Sequence, residues 1–261
     1  MRRKSLFTIV ALLLTASLAA AEIETKTVEY KDGDVVLEGY LARPAVDPRA
    51  AQGPRPGVLI VHQWKGLGEF EQGKARALAE LGYVAFAVDI YGKGVRPTDA
   101  SAAGKQAGKY KGDRKLYRQR LKAGLEQLRK FAGVDPKRIG AIGFCFGGTG
   151  VLELARSGAD IRGVVSFHGG LGTPTPEDAK NIKCAVCICH GADDPHVPDT
   201  ELLACMKEMR DAKVDWQLHA YGGAVHAFTD PRANRPSAHY NEDADKRSWQ
   251  TMRSFFSEVL G

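Results

Sequence analysis

Two kinds of hydrophobic pattern alternate along the chain. Short apolar runs without polar alternation, such as residues 58–61, are typical of strands buried on both faces of a parallel sheet. Other segments repeat apolar residues every three or four positions, as helices with one buried face do. Strands are predicted at 25–30, 35–42, 58–61, 83–88, 138–144, 161–167, 183–190 and 215–221, and helices at 69–81, 113–132, 147–156, 200–212 and 242–260. This order predicts an α/β fold, with a mostly parallel central sheet and helices on both faces.

The segments between these elements carry turn and loop signals. Asp32-Gly33-Asp34 separates the first two strands and predicts a hairpin at an antiparallel edge of the sheet. Residues 44–57, rich in proline and alanine, are predicted to form a surface loop, and residues 89–111 a long irregular segment. Residues 22–261, about 240 in number, fall within the range of a single α/β domain, so one domain is expected there. The chain has no internal repeat.

The first 21 residues have the pattern of an export signal. Three basic residues at positions 2–4 precede an apolar stretch at 6–18 and three alanines at 19–21. Cleavage is predicted just before Glu22, which would make the protein periplasmic or secreted. The alternative is an uncleaved anchor, but the apolar stretch is shorter than the roughly 20 residues that span a bilayer. No second stretch could span one, so no membrane association is expected after cleavage.

The charge of the chain argues against a nucleic-acid partner. The formal net charge is +6, and removing the three basic residues of the leader leaves 34 basic against 31 acidic residues, or +3. The densest basic stretch, residues 105–130, carries apolar residues at helical spacing and is therefore interpreted as a helix with a solvated basic face.

Three of the five cysteines are close together, at Cys184, Cys187 and Cys189. They resemble a metal cluster, but the run has the apolar continuity of a buried strand, on which Cys184 and Cys187 face opposite sides. Neither a metal site nor any cofactor is therefore expected. Pairing of Cys205 with one of these thiols is left open, and an odd number of cysteines leaves at least one unpaired.

Cys145 stands in the most informative motif of the chain. The motif Gly143-Phe144-Cys145-Phe146-Gly147-Gly148 follows a predicted strand and precedes a predicted helix. This is the layout of a nucleophile elbow, with a thiol in place of the usual serine. Glycines are needed there because the backbone packs tightly, and the turn lifts the central side chain towards solvent. The alternative interpretation is that Cys145 is a small buried hydrophobic residue.

An acid and a histidine follow Cys145 at the ends of later predicted strands. Asp194 lies in the loop after 183–190, and His226 lies in a glycine-rich loop after 215–221. Reactive groups gather at the carboxyl ends of parallel strands, and nucleophile, acid, histidine is the chain order of a hydrolase triad. Asp193 is the alternative acid and is interpreted as a turn residue. The other histidines are interpreted as structural, with His62 left open.

These segments, together with Val61-His62-Gln63-Trp64-Lys65-Gly66, resemble the dienelactone hydrolase family, a branch of the α/β-hydrolase fold. The resemblance extends over essentially the whole mature chain. It implies a Cys-Asp-His triad in which Cys145 attacks a carbonyl carbon, His226 transfers the proton and Asp194 orients the imidazole.

The chain departs from the family pattern at two positions. The resemblance implies a glutamate at position 63, where it would hold the resting thiol's proton, and a substrate-binding arginine at position 230. Gln63 cannot take a proton, so Cys145 would be activated by His226 and the following helix N-terminus. Asp230 would repel an anionic substrate unless a nearby cation compensates. The candidate cations are Lys93, Arg96 and Arg232.

The predicted function is hydrolysis of small carboxylic esters, enol lactones or thioesters through an acyl-enzyme. The oxyanion would be held by the backbone N–H of Phe146 and by that of Gln63 or Trp64. The predicted substrate contacts are Gln63, Trp64, Tyr91, Lys93 and Phe228. Two alternatives are a binding protein that keeps the fold without catalysis, motivated by Gln63 and Asp230, and a thiol redox protein built on Cys184 and Cys187.

Overall fold

The computed structural model describes residues 22–45 and 53–261. The predicted export signal, residues 1–21, lies outside the described part of the chain. Within that part, no helix is both long and apolar enough to cross a membrane.

An eight-stranded sheet forms the centre of the molecule, in the order β1-β2-β4-β3-β5-β6-β7-β8. β2 pairs antiparallel with both of its neighbours, β1 and β4, and all the other neighbouring strands pair parallel. The strands are β1 (Ile23–Asp32), β2 (Val35–Pro44), β3 (Arg55–Val61), β4 (Val84–Val88), β5 (Val134–Phe144), β6 (Gly163–Phe167), β7 (Ala185–Gly191) and β8 (Trp216–Tyr221). A separate hairpin pairs β9 (Asn234–Arg235) with β10 (Ala238–His239).

Helices cover both faces of the sheet. They are α1 (Glu69–Glu80), α2 (Ala100–Gly112), α3 (Arg114–Arg129), α4 (Phe146–Arg156), α5 (Asp199–Asp211) and α6 (Glu242–Leu260), with a 3₁₀ helix at Pro176–Asn181. Successive residues of a strand point to opposite faces, so Leu59 packs with α3 and α4, whereas Ile60 packs with α1 and α6. The α/β-hydrolase fold predicted from the sequence is confirmed.

The predicted irregular segment at 89–111 is wrong, because it contains α2. The Asp99 side chain caps this helix by accepting a hydrogen bond from Ala102 N, at 2.9 Å. Ala103, Ala107 and Tyr110 are buried and hold it on the domain. Three glycines lower its helix propensity, so its stability depends on this packing rather than on its sequence.

Cys184, Cys187, Cys189 and Cys205 are buried free thiols. Cys184 packs on one face of the sheet and Cys187 on the other, as predicted. Burial raises the pKa of Cys184 and that of Cys205 to about 12, so both stay protonated at neutral pH. Among the described residues, no group of three or more histidine, cysteine or acidic side chains has the arrangement of a metal site.

Candidate active site

Cys145 sits on a sharp turn between β5 and α4. Its backbone has φ 54° and ψ −113°, a strained conformation for a residue with a side chain. The flanking glycines make this turn possible, because a Cβ on Gly143 would lie 2.0 Å from Gly147 O and one on Gly147 would lie 2.1 Å from Val61 O. The turn is therefore the predicted elbow, and Cys145 lines the cavity above the sheet.

Three side chains from three loops meet above the sheet. His226 Nε2 lies 3.0 Å from Cys145 Sγ, and His226 Nδ1 lies 2.8 Å from Asp194 Oδ2. The backbone N–H of His196 donates to the second carboxylate oxygen of Asp194, at 2.8 Å. Asp193 instead accepts a hydrogen bond from Gly223 N in the neighbouring turn, at 2.8 Å. The geometry thus joins Asp194, and not Asp193, to the histidine.

The three groups shift one another's ionisation. Burial opposes a thiolate at Cys145, but the charge and hydrogen bond of His226 outweigh it, so the pKa of the thiol is lowered. Burial likewise opposes an imidazolium at His226, yet Cys145 and Asp194 together raise its pKa to about 10. For Asp194 the contacts with His226 again exceed the cost of burial and lower the pKa. This set favours a thiolate–imidazolium pair.

Phe146 is fixed at the first turn of α4 by aromatic stacking. Its ring lies between those of His62 and Tyr117, with centroids 5.6 and 4.6 Å away. The Tyr117 hydroxyl donates to Phe146 O, at 2.9 Å. The backbone N–H of Phe146 interacts with the Cys145 sulfur and helps to lower the pKa of the thiol. Phe146 N–H is therefore rigidly held beside the sulfur, where an oxyanion would form.

His168 supports the elbow from below. Its Nδ1 accepts a hydrogen bond from Cys145 N, at 3.1 Å, so Nε2 carries the proton and donates to Thr229 Oγ1, at 2.8 Å. Burial and the nearby charge of His226 lower the pKa of His168 well below its usual value, which keeps it neutral. The interpretation of His168 as structural agrees with these contacts.

The loop after β3 is held in place at Gln63. Its backbone N–H donates to Glu71 Oε1 at 3.0 Å, and its side-chain amide donates to Asp230 Oδ2 at 2.9 Å. The Gln63 N–H is therefore already engaged, and its prediction as an oxyanion donor is wrong. The next N–H along, that of Trp64, has no partner within the described part of the chain, and Trp64 lines the cavity.

His62, which the sequence left open, has a structural role in the same loop. Its Nε2 accepts from Ile90 N at 3.3 Å, so Nδ1 carries the proton and donates to Gln63 O at 2.6 Å. Burial lowers the pKa of His62 to about 4, which keeps the ring neutral.

Asp230 is neutralised by its neighbours. Arg232 donates to both of its carboxylate oxygens, with Nε–Oδ1 and Nη2–Oδ2 distances of 3.0 and 3.1 Å. Burial alone would raise the pKa of Asp230, but Arg232 and Gln63 outweigh it and the pKa is lowered. Of the three candidate cations named from the sequence, Arg232 is therefore the one that compensates the negative charge of Asp230. In doing so, the positive charge of Arg232 is itself neutralised.

Three predicted substrate contacts are wrong, because they do not line the cavity of about 1060 Å³ around Cys145. Tyr91 is buried beneath it and its hydroxyl donates to Trp64 O, at 2.9 Å. Lys93 pairs with Glu29 on the surface, at 2.5 Å. Phe228 is fully buried, with its ring against that of His168 at 5.0 Å. Gln63 and Trp64 do line the cavity, and their contact with substrate stays a prediction.

The hairpin β9–β10 is a part of the site that the sequence did not reveal. Arg235 lies over the Trp64 ring, 5.7 Å from its centroid. Ser237 Oγ contacts His196 Nε2 at 3.3 Å, and Ala238 forms a parallel bridge with His226. These two-residue strands are too short to show a periodic pattern, so the sequence carries no signal for the hairpin.

His196 lies beside His226, which was not expected. Its ring meets that of His226 edge-to-face, with centroids 5.1 Å apart, and it lines the cavity. From the sequence, His196 was interpreted as a structural histidine because it lies in polar surroundings.

Known proteins resemble this chain over most of its length. A dienelactone hydrolase-like promiscuous phosphotriesterase from metagenomic libraries is 40% identical, with a TM-score of 0.86 over 92% of this chain and 99% of its own. Protein usf of Aquifex pyrophilus is 30% identical over 89% of this chain and 98% of its own. A Bradyrhizobium protein named "Probable 2-oxo-3-(5-oxofuran-2-ylidene)propanoate lactonase" is 32% identical over 72% of this chain and 77% of its own.

A family model also matches residues 37–260, which include the elbow, the acid loop and the histidine loop. The chain is accordingly a hydrolase of the ester and lactone type, and it belongs to the dienelactone hydrolase family.

Proposed function

We propose that the protein hydrolyses carboxylic esters, enol lactones or thioesters through a covalent Cys145 acyl-enzyme. The observation that carries this proposal is the pair of contacts at His226, 3.0 Å to Cys145 Sγ and 2.8 Å to Asp194 Oδ2. One imidazole thus touches both the sulfur and the buried carboxylate, as nucleophilic catalysis requires.

In the first half of the reaction, the Cys145 thiolate attacks the acyl carbon and a tetrahedral intermediate forms. The backbone N–H groups of Phe146 and Trp64 donate to its oxyanion. The carbon–oxygen or carbon–sulfur bond to the leaving group then breaks, and the proton on His226 Nε2 moves to the departing atom. The product of this half is a thioester between the acyl group and Cys145.

In the second half, water attacks this thioester. The now neutral His226 takes a proton from the water, and Asp194 stabilises the resulting imidazolium. The bond between the acyl carbon and Cys145 Sγ breaks, which releases the carboxylic acid and returns the thiolate–imidazolium pair. Thiolate is a good leaving group, so the site suits activated esters, lactones and thioesters better than amides.

Two other functions were open from the sequence. The binding-protein alternative was motivated by Gln63 and Asp230, but these side chains hydrogen-bond to each other and leave Cys145 in contact with His226. A redox protein built on Cys184 and Cys187 would need the two thiols on one side of the sheet, and they pack on opposite sides. Neither alternative has an observation in its favour.

We also propose that the protein is exported to the periplasm or the medium after cleavage before Glu22, leaving one domain over residues 22–261. The support is the sequence of residues 1–21 alone, with its basic start, apolar stretch and alanine-rich end. Sequencing the N-terminus of the protein recovered from culture medium or periplasmic extract tests this.

The enzymatic proposal is tested by assaying hydrolysis of aryl esters and thioesters, and by mass spectrometry of the protein quenched during turnover. The expected result is an acyl adduct on the peptide that contains Cys145. Cys145→Ala is expected to abolish both turnover and adduct, and Cys184→Ala, the matched control at a buried thiol, to retain both. An intact wild-type protein that hydrolyses none of these substrates, or one acylated elsewhere, would contradict the proposal.

A further inference from the structure

The cavity around Cys145 carries an excess of positive charge. Five basic side chains line it against two acidic ones: Lys65, Arg96, Lys111, Arg232 and Arg235 against Glu71 and Asp230. Both acids already have partners. Glu71 accepts the backbone N–H groups of Gln63 and Gly68, and Asp230 is held by Arg232. The electrostatic potential of the cavity is therefore positive and favours a negatively charged ligand.

Two of the five cations are committed to the protein itself. Arg96 donates to backbone carbonyls, including Leu67 O at 2.7 Å, and lies 3.5 Å from Asp89. Arg232 is paired with Asp230. A third, Arg235, packs over Trp64 in the hairpin. These contacts leave Lys65 and Lys111 as the lining cations with no hydrogen bond, ion pair or ring contact within the described chain.

Lys111 is the one of these two whose charge reaches the reacting sulfur. It stands in the last turn of α2, and its charge contributes to lowering the pKa of Cys145. Its Nζ borders the loop after β6, where a Cβ on Gly170 would lie 3.9 Å away. Glu201 Oε1 lies on the same side, 3.7 Å from that Cβ position, and accepts the N–H groups of Leu171 and Gly172, at 2.6 and 2.9 Å. Lys111 thus has no partner within the described residues, and it lines the same cavity as the thiol.

We propose that Lys111 binds a carboxylate or similar anionic group of the substrate, so that the enzyme prefers esters, lactones or thioesters with a negative charge near the scissile acyl group. This inference rests on the proposed function. The resemblance places a substrate-binding arginine at position 230, where this chain has an aspartate bound to Arg232 and Gln63. The anion site assigned here lies instead on α2.

The test compares pairs of esters with the same shape and different charge. Each pair contains a 4-nitrophenyl monoester of succinate, glutarate or adipate and its neutral isostere, in which a terminal isopropyl group replaces the carboxylate. The rate of hydrolysis without enzyme is subtracted. The measured quantity is the ratio of kcat/KM for the anionic ester to that for the neutral one. Any effect of Lys111 on the thiolate changes both esters alike and cancels in this ratio.

We expect the wild type to favour the anionic ester in at least one pair. Lys111→Gln is expected to lower that ratio about tenfold, mainly through KM, because a charge-assisted hydrogen bond is lost. Lys111→Arg is expected to keep most of the preference. Lys109→Gln, on the same helix but outside the cavity, is the matched control and is expected to leave the ratio unchanged.

The outcomes separate this inference from the function on which it rests. A wild type that hydrolyses the neutral esters but favours them in every pair overturns the anion site and leaves the hydrolase intact. The same conclusion follows if Lys111→Gln lowers kcat/KM by the same factor for both esters of a pair. A wild type that hydrolyses no ester at all overturns the proposed function, and the anion site with it.

Discussion

The side-chain amide of Gln63 donates a hydrogen bond to Asp230, with 2.9 Å between Nε2 and Oδ2. These are the two positions at which the chain departs from the pattern implied by its family resemblance. The structure joins them in one contact, so the two departures complement each other. The pair, together with Glu71, holds the loop that places Trp64 at the cavity, and the N–H of Trp64 has no partner among the described residues.

If this contact positions the oxyanion donor, its loss lowers kcat more than it raises KM. We expect Gln63→Ala and Asp230→Ala each to lower kcat about tenfold on a neutral ester, a part of the 10²- to 10³-fold cost of losing such a donor entirely. The double variant is expected to be little worse than either single variant, because both remove the same hydrogen bond. Losses that simply multiply would show that the two residues act separately.

The adjacent aspartates give a matched pair for the acid role. Asp194→Asn removes the carboxylate that holds His226 Nδ1–H and is expected to lower kcat by up to about 10⁴-fold. Asp193→Asn affects only a turn contact to Gly223 and is expected to stay within a few-fold of wild type. Steady-state kinetics on one activated ester distinguishes them. If both variants lost the same factor in kcat, the acid could not be assigned to Asp194 over Asp193.

The ionisation of Cys145 predicts a pH profile for thiol alkylation. His226 lowers the pKa of the thiol below its ordinary value, so Cys145 is expected to hold more of the reactive thiolate at a given pH than an ordinary cysteine, and to lose it as the pH falls through that lowered pKa. His226 keeps its proton until about pH 10, which marks the upper limit of the ion pair. The measurement is the rate of iodoacetamide labelling at Cys145 against pH.

His226→Ala is the control for that profile. This substitution removes the positive charge that offsets the effect of burial on the thiol's pKa. The pKa is therefore expected to rise, and labelling at pH 7 to slow at least about tenfold. A rate that does not change would show that the imidazolium does not stabilise the thiolate.

The tight packing at the elbow predicts a large cost for one added methyl group. Gly147→Ala would put Cβ 2.1 Å from the backbone oxygen of Val61, which cannot move aside like a flexible side chain. We expect the free energy of unfolding to fall by at least about 3 kcal/mol. Gly73→Ala in α1, where Cβ meets no atom closer than 3.9 Å, is expected to raise it by up to about 1 kcal/mol. Chemical denaturation monitored by circular dichroism measures both.

The sheet and the three loops that bring Cys145, Asp194 and His226 together were predictable because each leaves a strong local signal. Continuous apolar runs marked the strands, and the glycines around Cys145 marked the elbow that the steric contacts at Gly143 and Gly147 require. Asp194 and His226 followed from their places after two such strands, since parallel strands bring their carboxyl ends to one edge.

The errors arose where side-chain direction or long-range contact decides the outcome. Tyr91, Lys93 and Phe228 follow strands, as the triad does, but only the folded backbone determines that two of them point into the protein and one to the surface. Helix α2 was missed because its glycines conceal the spacing of Ala103, Ala107 and Tyr110. Lys111 was missed with it.

The hairpin β9–β10 touches three separate loops of the site, through Arg235, Ser237 and Ala238. Fraying of these few residues would loosen Trp64, His196 and His226 together, while the central sheet stays folded. We therefore expect mild denaturants to abolish activity when this six-residue segment opens, before the domain as a whole unfolds.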